Sequence, residues 1–321
     1  MNLNAYRLIE DDIAAMKALS QRTVTEVSPH IKEIVQYSLQ ISGKCLRPAL
    51  LFLTAKIFGN VTEKHLHSAA AIEFVHTATL IHDDILDGAL LRRHLDTVNV
   101  RWNAQVGVLA GDLLLAKSLE LMAQGADLYG IQRLTEACNL TCAGELQQVT
   151  SVGRFEMPME EYLQIIGGKT ASLLACSTEL GAYYSGANTE MVRKFRLFGH
   201  KTGIAFQMID DILDVTGETE NAGKTLRTDL INRKPTLPVL LYLQSAAEAQ
   251  RQTMLKQLRS ETIETELIVR QLIQSGAVEA AQKRAQKEIH EALALIADAD
   301  GHAEMKAAVE EIALFVTTRN R

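Results

Sequence analysis

The string Asp-Asp-Ile-Leu-Asp occurs twice in this chain, at residues 83–87 and again at residues 210–214. Each copy closes an apolar segment with few helix breakers, residues 69–81 for the first and residues 204–209 for the second. Both strings are therefore predicted to lie on helices. Three carboxylates on one helical turn repel one another and lower helix propensity, so a sequence that does this twice indicates a bound cation.

Within each string, the first and last aspartates are four residues apart and share a helix face, Asp83 with Asp87 and Asp210 with Asp214. One isolated Asp-Asp-x-x-Asp is most simply a solvated helix end, but two copies beside basic residues favour a metal site. Oxygen donors of this kind favour Mg²⁺, which keeps several waters and completes its shell with substrate phosphate. We therefore predict two acidic walls that face each other across a cavity and hold a diphosphate through Mg²⁺.

Composition bounds the class of protein. The 321 residues are 47% hydrophobic and 22% charged, which is typical of a soluble globular protein. Only five prolines and long stretches rich in Ala, Leu, Glu, Gln and Lys predict an all-α fold, in a single domain over residues 1–321. The net charge of -6 argues against non-specific nucleic-acid binding. Four scattered cysteines do not form a disulfide scaffold.

Neither a secretory leader nor a membrane anchor is predicted. The first residues have no signal-peptide pattern, and no apolar run reaches the roughly 18 to 20 residues that span a bilayer. We therefore expect a cytoplasmic protein.

Helical periodicity covers most of the chain. Amphipathic spacing over residues 3–40 breaks at Ser28-Pro29-His30, and Arg47-Pro48 begins the next helix because proline is favoured in a first turn. Further helices are predicted over residues 64–87, 102–123, 130–150, 158–184, 189–214, 235–247 and, with breaks, 276–318. No lasting strand alternation is found.

Three basic clusters accompany the acidic strings. Lys44 and Arg47 lie at a predicted helix start, where backbone N–H groups also attract anions. The second cluster, Arg92 and Arg93, follows the first acidic string. The third cluster follows the second acidic string and contains Lys224, Arg233 and Lys234 together with Asp229. Any one of them alone would be a solvated charge cluster. Beside carboxylates they favour diphosphate binding, which needs both signs of charge.

His76 lies two helical turns before Asp83, about 20° away around the helix axis. A histidine on an apolar helix is more often a core residue than a ligand. Its alignment with the acidic face makes a phosphate-facing role an equal alternative.

Several motifs resemble those of the all-trans isoprenyl diphosphate synthases, the polyprenyl synthetase family. Residues 72–84, IEFVHTATLIHDD, resemble bacterial octaprenyl-type synthases in particular. The other matches, in the family's order, are Gly43-Lys44-x-Leu46-Arg47-Pro48, Gly111-Asp112, Gly144-Glu145-x-x-Gln148, Lys169-Thr170, Phe206-Gln207-x-x-Asp210-Asp211-x-x-Asp214 and Lys234-x-Thr236-Leu237-Pro238.

The resemblance implies an isoprenoid synthase fold, with helices around a central cavity, and a homodimer. It implies that the diphosphate of isopentenyl diphosphate is held by Lys44, Arg47, His76 and Arg93. It implies that an allylic diphosphate, such as farnesyl diphosphate, is held by Arg92, Lys169, Gln207, Lys224 and Lys234, with Thr170 close by. Direct ligands of Mg²⁺, three ions per site when substrate is bound, would come from Asp83, Asp87 and Asp210. Support through water or charge would come from Asp84, Asp211 and Asp214.

The chemistry that the resemblance implies is a prenyl transfer. Cations neutralise the departing diphosphate, the allylic C–O bond ionises, and isopentenyl diphosphate attacks the carbocation through its double bond. The proton is lost to the departed diphosphate, so no protein base is required. Catalysis would then rest on the six aspartates and Lys169.

Three positions depart from the family pattern, where glycine is usual: Ser42, His94 and Arg233. All three are predicted in loops, where a bulkier residue restricts the backbone. The metal and phosphate groups are all retained.

Product length is predicted from side-chain size below Asp83. The growing chain should run towards the helix N-terminus past Thr79 and Ala78, then Val75 one turn further, none of which is bulky. This indicates a long product of about octaprenyl length. Two alternatives stay open: Ala78 and Thr79 fit a neighbouring helix, or a floor such as Met122 ends the chain earlier, as in a farnesyl or geranylgeranyl synthase.

Two other functions are compatible with parts of this sequence. A terpene cyclase should carry a different second metal motif and many aromatics, whereas this chain is 5% aromatic with one tryptophan. A non-catalytic or regulatory subunit of a heteromeric synthase should have lost metal ligands, yet all six aspartates remain. The three loop departures keep the second alternative open.

Overall fold

The computed structural model describes residues 4–25, 27–41, 43–217 and 227–318 of the chain. Ser42, predicted to lie in a loop, and Lys224, predicted to bind the allylic diphosphate, lie outside the described residues. The first eight helices of the described residues are α1 Asn4–Arg7, α2 Glu10–Thr25, α3 Pro29–Ile41, α4 Leu46–Phe58, α5 Glu63–Leu86, α6 Val98–Arg101, α7 Ala104–Gly125 and α8 Leu128–Thr150. Between α5 and α6 lie two short strands, β1 Leu91–Arg92 and β2 Leu95–Asp96.

The remaining helices follow without further strands in the described part of the chain. They are α9 Met159–Ile166, a π-helical turn Gly167–Ala171, α10 Ser172–Tyr184, α11 Thr189–Thr216, α12 Thr228–Ile231, α13 Leu237–Ser245, α14 Glu248–Leu258, α15 Thr265–Gln274, α16 Ala277–Ile296 and α17 Ala303–Thr318. The all-α prediction is confirmed. The chain also forms α14 and α15, which the periodicity did not predict.

The chain divides into two compact units. The first unit comprises Met1–Cys138, Leu173–Gly199 and Leu295–Ile312, and the second comprises Asn139–Ser172, His200–Ala294 and Ala313–Arg321. The prediction of one domain over the whole chain stays a prediction.

Helix α5 is the centre of the first unit. It packs against α7 along its length and also against α2, α3, α4 and α6. Gly107 of α7 lies against Ile85, and Gly125 lies against His67, so the two helices run antiparallel. The alanine run in the first half of α5, residues 69–71, is completely buried because small side chains allow this close approach.

The N-terminus of α5 is capped by a histidine. The backbone N–H of Thr62 donates to Nδ1 of His65 at 3.0 Å, which satisfies a donor that the helix leaves free. His65 is fully buried, and its Nε2 lies 3.3 Å from the carbonyl oxygen of Gly181. The neutral ring with its proton on Nε2 satisfies both contacts.

Two apolar clusters form the core of the second unit. The first cluster includes Tyr162, Met208, Ile212 and Leu240. The second cluster is formed mainly by residues of α13, α14 and α15. These clusters hold α11, which carries the second acidic string, and its neighbour α9 in fixed positions. The four cysteines are all free thiols. No helix in the described ranges combines the length and the apolar character that a bilayer crossing needs.

Candidate active site

The first acidic string occupies the last turn of α5. Gly88 follows the helix with φ of 62°, and its N–H donates to the carbonyl of Ile85 at 3.2 Å. The N–H of Ala89 donates to the carbonyl of Asp84 at 2.9 Å, which completes a Schellman-type end. Three carboxylates thus lie at the negative end of the helix dipole, where cations are favoured.

Asp84, the middle aspartate, is buried and paired with Arg92. Nε of Arg92 lies 2.8 Å from Oδ1 and 2.9 Å from Oδ2 of Asp84, and a second guanidinium nitrogen lies 2.7 Å from Oδ1. Burial nevertheless raises the pKa of Asp84, since its effect exceeds that of the arginine. Arg92, predicted to hold the allylic diphosphate, is thus also the partner of a buried aspartate.

A hairpin brings Arg92 back to the string that precedes it. Leu91 pairs with Asp96 and Arg92 with Leu95, so the two-residue connection is Arg93-His94. These residues have φ of 54° and 66°, the left-handed backbone of a type I′ turn. Position 94, where the family usually has glycine, therefore has a left-handed backbone that favours glycine. His94 adopts this left-handed conformation despite its side chain.

Arg93 reaches the first basic cluster. Its guanidinium lies where a Cβ on residue 43 would be, so Gly43 permits this approach. Lys44, the next residue, is exposed, and Arg47 is buried in the first turn of α4. The structure thus brings predicted phosphate-binding residues from two separate loops together.

His76 faces the same group of arginines. It is partly buried, and burial lowers its pKa well below the usual value, with further lowering by Arg47, Arg93 and Arg92. The ring is therefore neutral at physiological pH and is surrounded by positive charge. Such a site favours an anion more than another cation.

The predicted chain-length residues lie on α5 below the string. Ala78 and Val75 are buried, and Thr79 is partly buried with its hydroxyl donating to the carbonyl of His76 at 2.8 Å. The antiparallel register with α7 places Met122, the alternative floor, about level with Ala71, which is three turns below Asp83.

The second string lies near the end of α11, and its middle aspartate is held on both sides. Oδ2 of Asp211 accepts from the hydroxyl of Tyr162 at 2.8 Å and from the N–H of Leu237 at 3.0 Å. Oδ1 accepts from Nε2 of Gln207 at 3.1 Å. Burial raises the pKa of Asp211 to about 6, although these three hydrogen bonds favour the carboxylate.

Asp214 holds the segment that follows. It is buried, and its carboxylate accepts from the hydroxyl of Thr228 and the N–H of Asp229, each at 3.2 Å. Lys234 lies 3.9 Å from the carboxylate of Asp229. Arg233 has φ of 54°, so this family glycine position also has a left-handed backbone.

The predicted Lys169-Thr170 pair lies in the π-helical turn. Lys169 donates to Oε1 of Gln148 at 2.8 Å and forms an ion pair with Glu145, both on α8. Thr170 donates to Oε1 of Gln207 at 2.7 Å, so Gln207 links Thr170 to Asp211.

The six aspartates fall into two groups by exposure. Asp83 and Asp210 are partly buried and Asp87 is exposed, whereas Asp84, Asp211 and Asp214 are buried and hydrogen-bonded. Within the described residues, no three Asp, Glu, His or Cys side chains converge as a ready metal cage. Accessible carboxylates fit Mg²⁺, which binds through few protein ligands and completes its shell with water and phosphate.

Sequence reasoning missed the partners that hold these groups. Tyr162 is 49 residues from Asp211, and a tyrosine on an amphipathic helix carries no signal of such a contact. The sequence marks Glu145 and Gln148 only as part of a motif. Their spacing of three residues on one helix face is the signal that could have assigned them a common partner.

Comparison with known proteins identifies the family of this chain. Residues 28–275 match the family model described as polyprenyl synthetase. The heptaprenyl diphosphate synthase component 2 of Geobacillus stearothermophilus is 38% identical over 244 residues, 76% of each chain. The octaprenyl diphosphate synthase of Escherichia coli K12 is 30% identical over 92% of this chain and 93% of that protein.

A solved structure extends the similarity to the fold. The polyprenyl synthase from Caulobacter crescentus CB15, in a complex with calcium and isoprenyl diphosphate, superposes with a TM-score of 0.92. It is 31% identical, and the match covers 99% of this chain and 97% of that one. The chain therefore has the all-α isoprenoid synthase fold, belongs to the polyprenyl synthetase family and is a prenyltransferase.

Proposed function

We propose that the protein is a trans-polyprenyl diphosphate synthase that extends an allylic diphosphate, farnesyl diphosphate in the first instance, by repeated condensation with isopentenyl diphosphate. The observation that supports this most directly is that both acidic strings are complete and that each is held by its own buried hydrogen bonds. Burying these carboxylates costs free energy, which the hydrogen bonds offset, so each string is held in a defined geometry.

The isopentenyl diphosphate would bind at the cationic group of the first unit. Arg47 and Arg93 supply forked N–H donors, Lys44 supplies a mobile ammonium, and His76 supplies a neutral ring N–H. The proximity of Arg93 to Gly43 and the charges that act on His76 support this assignment. Binding here orients the double bond towards the allylic carbon.

The allylic diphosphate would bind to Arg92, Lys169, Lys224 and Lys234, with Gln207 and Thr170 alongside. Three Mg²⁺ ions, held through Asp83, Asp87 and Asp210, would supply the positive charge that stabilises the leaving diphosphate. Asp84, Asp211 and Asp214 would act as supports, because their oxygens are already engaged by protein donors. No protein base is needed, because the departed diphosphate can accept the proton.

Both strings would act on the same allylic diphosphate within one catalytic domain. The match of a single family model to residues 28–275 supports this, since that range includes both strings. Substituting Asp83→Asn and Asp210→Asn should each weaken Mg²⁺-dependent diphosphate binding, and the double variant should lose less than the sum. Strictly additive losses would contradict a shared site.

A long product of about octaprenyl length is supported by the small residues on α5. Ala78 is fully buried, so a phenylalanine there must fill space that a longer product would otherwise occupy or must displace its neighbours. Product analysis by chromatography should show shorter chains for Ala78→Phe than for the wild type. An unchanged product would refute the assignment of this face to the growing chain, and a farnesyl or geranylgeranyl product from the wild type would indicate the earlier floor at Met122.

A homodimer is supported by exposed apolar residues on α7. Val108, Leu109 and Leu119 are 44%, 66% and 51% exposed, and together with Ala116 they flank the exposed Asp112 on one face of the helix. Such a face is typical of a covered interface. Leu109→Glu should shift the protein from dimer to monomer in analytical ultracentrifugation, whereas Gln124→Glu on the same helix should not.

The decisive experiment uses the purified protein alone with farnesyl diphosphate, isopentenyl diphosphate and Mg²⁺. We expect release of diphosphate and formation of a polyprenyl diphosphate.

A second candidate function is favoured by the similarity to a heptaprenyl synthase component 2, a name that denotes one of several components. No diphosphate release by the chain alone would favour the reading of a subunit that requires a partner.

A further inference from the structure

The motif Gly144-Glu145-x-x-Gln148 has no role in the proposed reaction, yet its side chains hold a residue that does. Lys169 donates to Gln148 and forms an ion pair with Glu145. The side chains of Lys169 and Glu145 are 18% and 21% exposed, so water screens this pair only in part.

Backbone packing fixes Lys169 against α8. A Cβ on Gly144 would lie 2.8 Å from the carbonyl oxygen of Ile165 and 3.0 Å from the carbonyl carbon of Gly168. A Cβ on Gly168 would lie 2.6 Å from the carbonyl oxygen of Leu140. The distances of 2.8 Å and 2.6 Å to these two carbonyl oxygens are too short for any residue but glycine. The π-helical turn is thus seated on α8, and Lys169 lies beside the two polar residues of the motif.

A carboxylate next to a diphosphate-binding lysine opposes the binding of the diphosphate. It repels the anion, and it competes for the ammonium that the anion needs. Gln148 carries no charge, so it can hold the lysine in position without this competition. The two residues of the motif therefore have different effects on the same side chain.

We propose that Glu145 is a positioning residue that competes with diphosphate for Lys169, so that the released diphosphate leaves after each condensation, while Gln148 keeps the lysine aimed. This inference rests on the proposed role of Lys169 in binding the allylic diphosphate. In a reaction that repeats several times on one growing chain, every cycle must clear the released diphosphate before the next allylic group can occupy its place.

The test measures binding of inorganic pyrophosphate to the full-length protein by calorimetry in the presence of Mg²⁺. Glu145→Gln has almost the same shape but no charge, and it should tighten pyrophosphate binding at least about fivefold. Steady-state kinetics should show kcat and the KM for the allylic diphosphate falling together, which is typical of slow product release. Gln148→Ala should weaken pyrophosphate binding, and Gln147→Ala, an exposed neighbour on α8, should leave it unchanged.

Unchanged or weaker pyrophosphate binding by Glu145→Gln would overturn the inference, and Glu145→Ala repeats the test should the first variant fold poorly. Lys169→Ala separates this failure from failure of the proposed function. If Lys169→Ala loses pyrophosphate binding while Glu145→Gln does not tighten it, the lysine's role stands and the competition does not. If Lys169→Ala binds as the wild type does, the role of Lys169 is itself refuted, and the inference with it.

Discussion

The hydroxyl of Tyr162 donates a 2.8 Å hydrogen bond to Oδ2 of Asp211, and both residues are buried. Burial raises the pKa of the tyrosine well above its usual value, and the neighbouring carboxylate raises it further, so it stays a donor. The bond links α9 to the second acidic string and fixes the carboxylate next to Asp210.

Removing this hydroxyl should weaken both the fold and the site. Tyr162→Phe leaves a buried carboxylate oxygen with one donor fewer, which costs about 2 kcal/mol of unfolding free energy in urea titrations. Binding of Mn²⁺, followed by electron paramagnetic resonance with pyrophosphate present, should weaken as well. Tyr242→Phe, in the apolar core of the same unit, is the control. Equal losses in both variants would show that Tyr162 contributes packing alone.

Arg92 should be indispensable for stability because its partner is buried. Arg92→Ala leaves Asp84 as a buried charge without its guanidinium, which should cost about 3 kcal/mol of unfolding free energy. Arg92→Lys cannot reproduce the forked contact and should also be destabilising. The measurement is a double-mutant cycle with Asp84→Asn in urea unfolding. Additivity of the two single variants would mean that the pair is not coupled.

His65 should make the stability depend on acid pH. Burial is the main cause that lowers its pKa to about 4, while the Gly181 carbonyl and Asp12 act in the opposite direction. Since the unfolded histidine titrates near 6.5, the unfolded state binds more protons between these values, and stability falls as the pH drops through this window. The loss from pH 7 to pH 4.5 should be about 2 to 3 kcal/mol for this residue.

The structural reason is the cap of α5, since protonation of Nδ1 would remove the acceptor of the Thr62 N–H. His65→Asn should lower stability at neutral pH but show a smaller difference between pH 7 and pH 4.5 than the wild type, as measured by urea midpoints. His302→Asn, at an exposed histidine, should leave the difference unchanged. A difference in His65→Asn as large as that of the wild type would contradict the assignment.

The hairpin turn should be open to stabilisation at His94. Its φ of 66° lies in the left-handed region, so His94→Gly should gain about 1 kcal/mol of unfolding free energy despite the entropy of glycine. His94→Val, with a β-branched side chain in the same backbone, should lose stability. Urea unfolding of the two variants decides the matter, and a loss with glycine would exclude backbone strain at this position.

The sequence predicted the long helices well because their determinants are local. Apolar spacing, the Ser28-Pro29 break and Arg47-Pro48 all act within a few residues, and each helix that they predict is present. The same local signals correctly predict that the acidic strings lie on helices. Helix α14 was missed because its few buried residues leave a weak apolar pattern.

The contacts that hold the site depend on approach between distant segments. The Arg92–Asp84 pair requires a type I′ turn, and Arg93-His94 lacks the Asn-Gly signal of such turns. The π-helical turn gives no periodic signal over its five residues. Likewise, Asp211 and Asp214 become buried only when distant residues pack against them. These residues are Tyr162 and Leu237 for Asp211 and Thr228 for Asp214.

The π-helical turn has a consequence for how this segment could change. A π-turn holds one residue more than the α-helical turn it replaces, so it is equivalent to a single-residue insertion in an otherwise continuous helix. Deleting one codon within residues 167–171 would restore ordinary winding and rotate the preceding side chains by about 100° relative to α10. The direction of the Lys169 side chain thus depends on the number of residues in the π-helical turn. An insertion or deletion there would change that direction more than most substitutions would.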